Sequence, residues 1–305
     1  MRIFCTGVSG YIGGSIVVAL ASAGHEVSGL VRTERSADQV QALGIVPVHG
    51  TLDDLDVLRT ATARADVVLN AANADHEPSV WAMLKALEFT GKAFIHTSGS
   101  SIVGTQSAGN RVDAIFNEDT PITPSTGRAA RVALNEHILS FKDKGVRSVI
   151  ICPSLIYGIG HGPSKHSVQV PWLIALAKKD GVAKHYGPGE NIWSNVHIDD
   201  LVDLYILALA SAPTGAFYYA ENGENSMKQV CEAINRTLGV NVDTVAMSLD
   251  EASREWGEGA AQNTMGSNSR VRALRARAEL GWRPSRPSLI DEIENGCYTE
   301  CLVGR

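Results

Sequence analysis

The glycine-rich stretch near the start of the chain, GVSGYIGG, constrains the fold more than any other feature of the sequence. It follows a short apolar run at residues 3–5 and leads into residues 12–23, which are apolar nearly all round, as in a buried helix. The glycines Gly7, Gly10 and Gly13 permit a tight turn and a close approach of the backbone to phosphates. The first N–H groups of the following helix then face the anion.

Strand, glycine turn and helix in this order predict a binding site for a dinucleotide pyrophosphate. A second apolar run at residues 27–31 arrives where a βαβ unit of about 30 residues places its second strand. The alternative is a glycine turn that binds no ligand. We predict that this segment contacts the cofactor through Thr6, Gly7, Gly10, Tyr11, Ile12 and Gly13.

Strand-like and helix-like segments alternate through the first half of the chain. The apolar, strand-like runs lie near residues 2–6, 26–31, 45–48, 66–70, 93–97 and 147–152. The helix-like stretches lie near residues 11–23, 36–43, 53–62, 78–90 and 127–144. This alternation predicts an α/β fold, a doubly wound parallel sheet of the Rossmann type with ligands at the carboxyl ends of its strands.

The rhythm changes after about residue 153, where prolines and glycines separate short elements. Further helices are expected near residues 199–211, 226–238 and 286–300. We therefore predict a dinucleotide-binding domain at 1–155 and a smaller substrate-binding region at 156–305.

Composition narrows the partners. The net charge of −6 comes without a basic block, so we expect neither nucleic acid nor an anionic membrane as a partner. Five scattered cysteines and a first strand that leaves no room for a signal peptide favour a reducing, cytoplasmic location without a metal site. The expected partner is a small-molecule substrate, and a homodimer is an option that the sequence leaves open.

The residues after the second predicted strand indicate which cofactor is bound. An acidic residue there would bind the ribose diol, whereas this chain has Arg32 and Thr33, which suit a 2′-phosphate, with Arg35 or Ser36 as helpers. Glu34 argues the other way. We therefore expect NADP(H), with NAD(H) as the less favoured cofactor.

Two later strand ends are expected to border the cofactor. Asp53 follows the third strand and is placed beside the adenine, although Asp53 and Asp54 could equally cap a helix. Small residues after the fourth strand would let the backbone run along the cofactor, which adds Asn70, Ala71 and Ala72 to the predicted contacts.

A family resemblance is carried by segments spread along the whole chain: TGVSGYIGG, LNAAN, FIHTSGSSIVG, CPSLIYGIGHGP, NVHIDDLVDLYILAL and ELGWRPSRPSLIDEI. They resemble the extended branch of the short-chain dehydrogenase/reductases, also called the NAD-dependent epimerase/dehydratase family. The resemblance implies a Rossmann domain that is interrupted, with a return segment at about residues 195–212.

The same resemblance implies a catalytic serine after the fifth strand and a Tyr-x-x-x-Lys pair on the next helix, and this chain departs from both. The alignment puts Gly99 at the serine, Arg128 at the tyrosine and Val132 at the lysine. No tyrosine lies between Tyr11 and Tyr157, so a small shift of the alignment cannot restore the pair. The chain looks like an atypical member of the family.

Other residues could support hydride transfer, which depends chiefly on positioning. Ser98 and Ser100 could donate hydrogen bonds to a substrate oxygen, and Arg128 could stabilise an oxyanion. Tyr157 is expected to face the cleft. His161 could supply a proton, although an inert surface role is the stronger interpretation.

For His197 we expect a structural hydrogen bond, and for Asp199 a cap on the helix that begins near residue 200.

Substrate class is indicated by Trp193, which stands where relatives acting on nucleotide sugars carry an arginine. With Tyr186 and Trp172 it suggests an aromatic wall for a hydrophobic or aromatic carbonyl compound, although simple packing explains these residues equally well. Three functions remain: a reductase, a non-catalytic NAD(P)-binding sensor or scaffold, and a cofactor-dependent isomerase, epimerase or dehydratase.

Overall fold

The computed structural model describes residues 1–303 and has an α/β architecture. The strands are β1 (Arg2–Thr6), β2 (Glu26–Val31), β3 (Val46–His49), β4 (Val67–Asn70), β5 (Ala93–Thr97), β6 (Thr105–Gln106), β7 (Arg147–Pro153), β8 (Leu155–Tyr157), β9 (Lys184–Tyr186), β10 (Ile192–His197), β11 (Ala216–Ala220), β12 (Glu224–Ser226), β13 (Val245–Met247) and β14 (Ser267–Asn268).

The α-helices connect these strands and cover the sheet. They are α1 (Tyr11–Ser22), α2 (Glu34–Gln41), α3 (Leu55–Arg64), α4 (Glu77–Leu87), α5 (Ala129–Ser140), α6 (Gln169–Asp180), α7 (Ile198–Ser211), α8 (Met227–Leu238), α9 (Leu249–Trp256), α10 (Glu258–Ala260), α11 (Leu274–Glu279), α12 (Leu289–Glu294) and α13 (Cys297–Val303). No helix within residues 1–303 is long and apolar enough to cross a membrane.

Seven parallel strands form the main sheet in the order β11-β7-β5-β4-β1-β2-β3. The parallel α/β sheet predicted from the sequence is confirmed. Its order reverses at β1, and ligands of such sheets bind at that switch point, beyond the carboxyl ends of the strands.

Two hydrophobic layers hold the helices against this sheet. On one face Ile16 of α1 and Leu201 of α7 join the core with Cys5 of β1. On the other face Leu58 of α3 and Met83 of α4 pack with neighbours from the central strands. Because α7 lies beside α1, a segment from the second half of the chain covers the first half.

The edge strand β11 was not among the predicted strands. Its sequence, AFYYA, follows the turn at Gly215 and has three aromatic residues in a row, so it lacks the aliphatic run that marks strands such as β4 and β7. It pairs with β7 through Ala216–Val149 and adjoining residues.

The remaining elements form a smaller layer around β8, β10 and β12. Leu173 of α6, Val230 of α8 and Ile293 of α12 share one buried cluster. The single helix expected near residues 286–300 is two helices, α12 and α13, separated at residues 295–296.

Candidate active site

The glycine turn between β1 and α1 is packed against the loop that follows β4. Gly7 has φ +78°, and a Cβ there would lie 2.5 Å from the carbonyl oxygen of Ala71 and 2.9 Å from the nitrogen of Ala72. A Cβ on Gly13 would lie 2.3 Å from the carbonyl oxygen of Gly7. The structure thus brings the predicted glycines and both alanines together at one end of the sheet.

Replacing Gly7 with alanine is expected to lower the free energy of unfolding by more than about 2 kcal/mol, because positive φ and the clash with Ala71 both oppose a Cβ. Gly24→Ala is the matched control: Gly24 has φ +82° with nothing within 4 Å of the added Cβ. Urea unfolding of the two variants isolates the clash, and equal losses would contradict the close packing.

The start of α1 has the donors that an anionic group requires. Gly10 is the N-cap and no side chain caps it, while the first backbone bond of the helix runs from the N–H of Gly14 to the carbonyl of Gly10. Within residues 1–303, the N–H groups of Tyr11, Ile12 and Gly13 have no acceptor. The turn therefore fits a dinucleotide pyrophosphate.

A cavity of about 260 Å³ opens beside this turn. Tyr11, Ile12 and Ala71 form one side, and Ser154, Ile156 and residues 166–169 form the other. The Tyr11 hydroxyl donates to the carbonyl of Gly158 (2.9 Å), which ties the turn to the loop after β8.

Thr6 and Asn70 belong to a buried polar chain that crosses three strands. Thr6 Oγ1 donates to Asn70 Oδ1 (2.5 Å), and Asn70 Nδ2 donates to His96 Nδ1 (3.0 Å). All three side chains are buried. These bonds give the side chains of Thr6 and Asn70 a structural role beneath the site.

His96 is the residue of this hydrogen-bonded trio that the sequence analysis did not single out. Burial, with a smaller contribution from Arg131, lowers the pKa of His96 to about 3. Its Nε2 has no hydrogen-bond partner among the described residues. The imidazole is therefore held neutral, as the acceptor at Nδ1 requires.

The neutral state of His96 makes stability depend on pH. Its folded-state pKa lies below the value of about 6.5 in the unfolded chain, so its contribution is complete above pH 6.5 and falls as the pH drops towards 3. Between pH 7 and pH 5.5 we expect the wild type to lose about 1 kcal/mol more than His96→Gln. The exposed His49→Gln should behave as wild type in urea titrations, and parallel pH profiles for all three would refute this assignment.

Arg32 and Thr33 lie at the carboxyl end of β2, beside the glycine turn. The pairing of Cys5 with Gly29 brings Gly7 level with residue 31. Arg32 is exposed and forms no ion pair within residues 1–303. Thr33 Oγ1 instead accepts from the N–H of Ser36 (3.2 Å) as the N-cap of α2.

Asp53 is exposed beyond β3, and its Oδ1 lies 3.2 Å from His76 Nε2. The N-cap position of α3 belongs to Asp54, whose Oδ2 accepts from the N–H of Thr51 (2.7 Å). The Asp54 carboxylate is therefore bonded within the turn that starts α3, whereas the Asp53 carboxylate is exposed and lies near His76.

The predicted serines differ in their surroundings. Ser98 is buried at the end of β5, and its Oγ accepts from Asn135 Nδ2 (2.9 Å). Ser100 is 1% exposed, and its Oγ lies 2.8 Å from the Oγ of Ser269, which donates to it. Ser100 therefore anchors the C-terminal segment, while Ser98 lies against α5.

The start of α5 presents two arginines to the end of β5. Arg131 Nε donates to Asp75 Oδ1 (2.6 Å), its Nη2 pairs with the other oxygen of Asp75, and its Nη1 lies 3.3 Å from Ser101 Oγ. A Cβ on Gly99 would lie 3.7 Å from the same Nη1. Sequence reasoning missed Arg131, although its position three residues after Arg128 places both on one helix face.

Arg128 is half-buried and has no ion-pair partner within residues 1–303. Burial, and then the nearby Arg131, lower the pKa of its guanidinium from its usual range. Asp75 is the carboxylate that opposes this effect within residues 1–303, and it is already bonded to Arg131. The arrangement therefore leaves a positive group near Arg131 and Asp75 that an anion or oxyanion could pair with.

The expected position of Tyr157 is wrong. Its side chain is fully buried in the cluster of the smaller layer, and its hydroxyl donates to the carbonyl of Pro287 (2.8 Å). Burial further raises the pKa of this phenol above its usual range. Tyr157 thus packs the smaller layer and does not face the cleft.

The two histidines near α7 are structural. The expected cap of α7 by Asp199 is wrong, because His197 is the N-cap and its Nδ1 accepts from the N–H of Asp199 (3.1 Å). The structural hydrogen bond expected of His197 is confirmed. His161 Nε2 lies 2.6 Å from Asp199 Oδ1, and its backbone N–H donates to Ser15 Oγ (3.0 Å), so it holds the loop after β8 onto α1.

The aromatic wall suggested by Trp193 does not form. Trp193 is 5% exposed and its indole N–H donates to the carbonyl of Ser267 (2.7 Å). Tyr186 lies in a different cluster, and Trp172 is on the outer side of α6 with 36% exposure. Packing, the alternative interpretation of Trp193, is the correct one.

Comparison with known proteins agrees with this geometry. A model of the NAD dependent epimerase/dehydratase family matches residues 3–219. The chain belongs to this family. A family relative, the oxidase ucsJ of an Acremonium species, is 32% identical over 339 residues, which cover 96% of this chain and 95% of that protein.

Two further similarities within the family concern activity and fold. A 4-hydroxy-2-methyl-3-oxo-4-farnesyl-3,4-dihydroquinoline-1-oxide ketoreductase of Stigmatella aurantiaca is 28% identical over 237 residues, 73% of this chain and 69% of that protein. The crystal structure of a dTDP-glucose 4,6-dehydratase from Bacillus anthracis has a TM-score of 0.77 and 18% identity, covering 98% and 96% of the two chains. NAD(P) is the cofactor typical of this family, and the glycine turn fits it.

Proposed function

We propose that the protein is an NADP(H)-dependent oxidoreductase that acts on a small, mostly apolar carbonyl-type substrate without a Tyr-x-x-x-Lys pair. One observation carries this proposal: the uncapped glycine turn packs against Ala71, and Arg128, which has no ion-pair partner within residues 1–303, lies near Asp75 further along the same loop. One end of the site is thus suited to bind a phosphate, and the other to stabilise an oxyanion.

The proposed division of labour follows from the contacts of each residue. The bound nicotinamide supplies or accepts the hydride. The N–H groups at the start of α1 hold the pyrophosphate, and Arg131 positions the loops after β4 and β5 through Asp75 and Ser101. Because Asn135 donates to Ser98 Oγ, the hydroxyl hydrogen of Ser98, which is directed at Cys152 in this structure, is the group that would turn to a substrate oxygen.

Arg128 stabilises the negative charge that develops on the substrate oxygen during reduction. An arginine keeps its proton at neutral pH, so it acts by charge and hydrogen bonding, and solvent delivers the proton that completes the alcohol. Gly99 and Val132 occupy the positions of the missing serine and lysine in the alignment. Val132 is buried and apolar, so it offers no substitute for the lysine.

The preference for NADP(H) rests on Arg32. Its exposed guanidinium lies at the carboxyl end of the strand next to β1, where it can form charge-assisted bonds to a 2′-phosphate. Glu34 does not compete strongly for that position, because its carboxylate is turned towards His49 at 3.7 Å.

We infer an apolar substrate because the walls of the cavity beside the turn include Ile12, Ile156 and Val168. The similarity to a ketoreductase whose named substrate is a farnesylated dihydroquinoline oxide supports the same class. Trp193 is buried in the smaller layer and forms no aromatic wall for the substrate.

The test is NADPH oxidation with a panel of aromatic and aliphatic ketones, with UDP-glucose as the nucleotide-sugar comparison. We expect turnover with at least one apolar ketone and none with UDP-glucose. Tight NADPH binding without turnover on any substrate would favour a sensor or scaffold. A non-catalytic role of that kind would also be consistent with Arg128 and Val132 at the tyrosine and lysine positions. A changed product without net cofactor use would favour an isomerase, epimerase or dehydratase.

A further inference from the structure

A second cavity of about 270 Å³ lies between α5 and the edge strand β11, under the loop at residues 117–122. It shares no lining residue with the cavity beside the glycine turn. The apolar part of its wall is formed by Ile102, Ile122, Val132, Leu139 and Phe217, and polar side chains complete the lining.

Two buried polar atoms at this cavity lack partners among the described residues. Tyr219 is fully buried and its hydroxyl bonds to nothing, and Asn135 is 4% exposed with an unpaired Oδ1. An unsatisfied buried polar group costs about 1–3 kcal/mol, so natural proteins rarely retain two at one place without a ligand or water. Burial keeps the pKa of Tyr219 above its usual range, so its hydroxyl remains a donor.

Two of the three charged side chains at this cavity are engaged, and the third, Glu136, is exposed to solvent. The carboxylate of Glu118 accepts from the backbone N–H groups of Tyr219 (3.1 Å) and Leu274 (3.2 Å). Arg275 is paired with Asp119. The buried atoms that remain for a ligand are one donor, the Tyr219 hydroxyl, and one acceptor, Asn135 Oδ1, beside the apolar part of the wall.

We propose that this cavity is a second ligand site, which binds a small, uncharged, mostly apolar molecule that carries an alcohol or phenol group. The oxygen of that group accepts from Tyr219, and its hydrogen donates to Asn135 Oδ1. Phe217, whose ring meets that of Tyr219 edge-on with centroids 5.0 Å apart, contributes the apolar surface.

The ligand would be coupled to the active site through Asn135. The same side chain that offers Oδ1 to the cavity donates from Nδ2 to Ser98 Oγ. A ligand that fixes the amide therefore also fixes the serine. The existence of the site does not depend on the proposed reductase activity.

The test uses benzyl alcohol and toluene as a pair of probes that differ by one hydroxyl group. Binding is followed by NMR on the full chain through the side-chain amide of Asn135. We expect saturable binding of benzyl alcohol that Tyr219→Phe weakens about five- to tenfold, and weaker toluene binding that this variant leaves unchanged. Tyr218→Phe is the matched control, because that hydroxyl points away and bonds Glu279 (2.9 Å).

Two further measurements complete the test. Tyr219→Phe should be at least as stable to heat as the wild type, because it removes an unpaired buried hydroxyl, whereas Tyr218→Phe should be less stable. Leu139→Phe narrows the cavity without touching a hydrogen bond and should weaken both probes. Displacement of benzyl alcohol by NADP⁺, equal affinity in Tyr219→Phe, or no saturable binding would each overturn the proposal.

Discussion

Replacing Arg128 with methionine is expected to lower kcat by about 10²-fold while the KM for the ketone changes little. The guanidinium would be lost at the point where the substrate oxygen becomes negative, and one such donor is typically worth that factor. The long apolar methionine keeps the packing of the half-buried side chain, so the unfolding temperature should stay near that of the wild type. Stopped-flow and steady-state assays with NADPH give the measurement.

The controls separate charge from packing. Arg128→Lys keeps a cation and should recover part of the lost rate, although it lacks the planar fork. Arg59→Met removes an exposed arginine that pairs with Asp56 on α3, and it should leave kcat unchanged. A fully active Arg128→Met would show that this residue does not stabilise the oxyanion.

Replacing Arg32 with aspartate is expected to weaken NADPH binding about 10²-fold and to change NADH binding less than about threefold. The substitution removes charge-assisted hydrogen bonds to the 2′-phosphate and puts a like charge in their place, whereas the ribose diol of NADH accepts a carboxylate. Dissociation constants of both nucleotides, measured by isothermal titration calorimetry, test it.

The matched control for charge is Arg64→Asp. Arg64 ends α3 and lies near Arg2 and Glu26 at the amino ends of β1 and β2, whereas the glycine turn lies at the carboxyl ends. Arg64→Asp therefore makes the same change in net charge away from the site. Both nucleotides should bind this variant as they bind the wild type. Equal weakening of NADPH and NADH by Arg32→Asp would overturn the preference for NADP(H).

The sheet could be predicted because its central strands are buried on both faces. Such strands contain apolar runs, as at residues 67–69 and 149–152, and the strands of the first half of the chain alternate with helices. Strand β11 was not predicted because its neighbouring aromatic residues have different environments: Tyr218 bonds Glu279, while Tyr219 lines the second cavity. An edge strand of that kind shows neither a continuous aliphatic run nor a clear alternation of apolar and polar residues.

The site was harder to predict because its polar contacts join residues far apart in the chain. Ser100 accepts a hydrogen bond from Ser269, and Trp193 donates one to the carbonyl of Ser267. Both partners lie in the C-terminal part of the chain. No local pattern reports such partners. Arg131 was missed for the same reason, since its role depends on Asp75 in another loop.

Equilibrium binding of NADPH and NADH to the wild-type protein tests the central claim most directly, that the turn after β1 binds a pyridine dinucleotide. We expect both to bind saturably, NADPH the more tightly, with a dissociation constant in the range of about 1 μM to 1 mM that is usual for enzyme ligands. If neither NADPH nor NADH binds at millimolar concentration, the turn after β1 is not a pyridine-dinucleotide site and the proposed function is wrong, even though the fold stands.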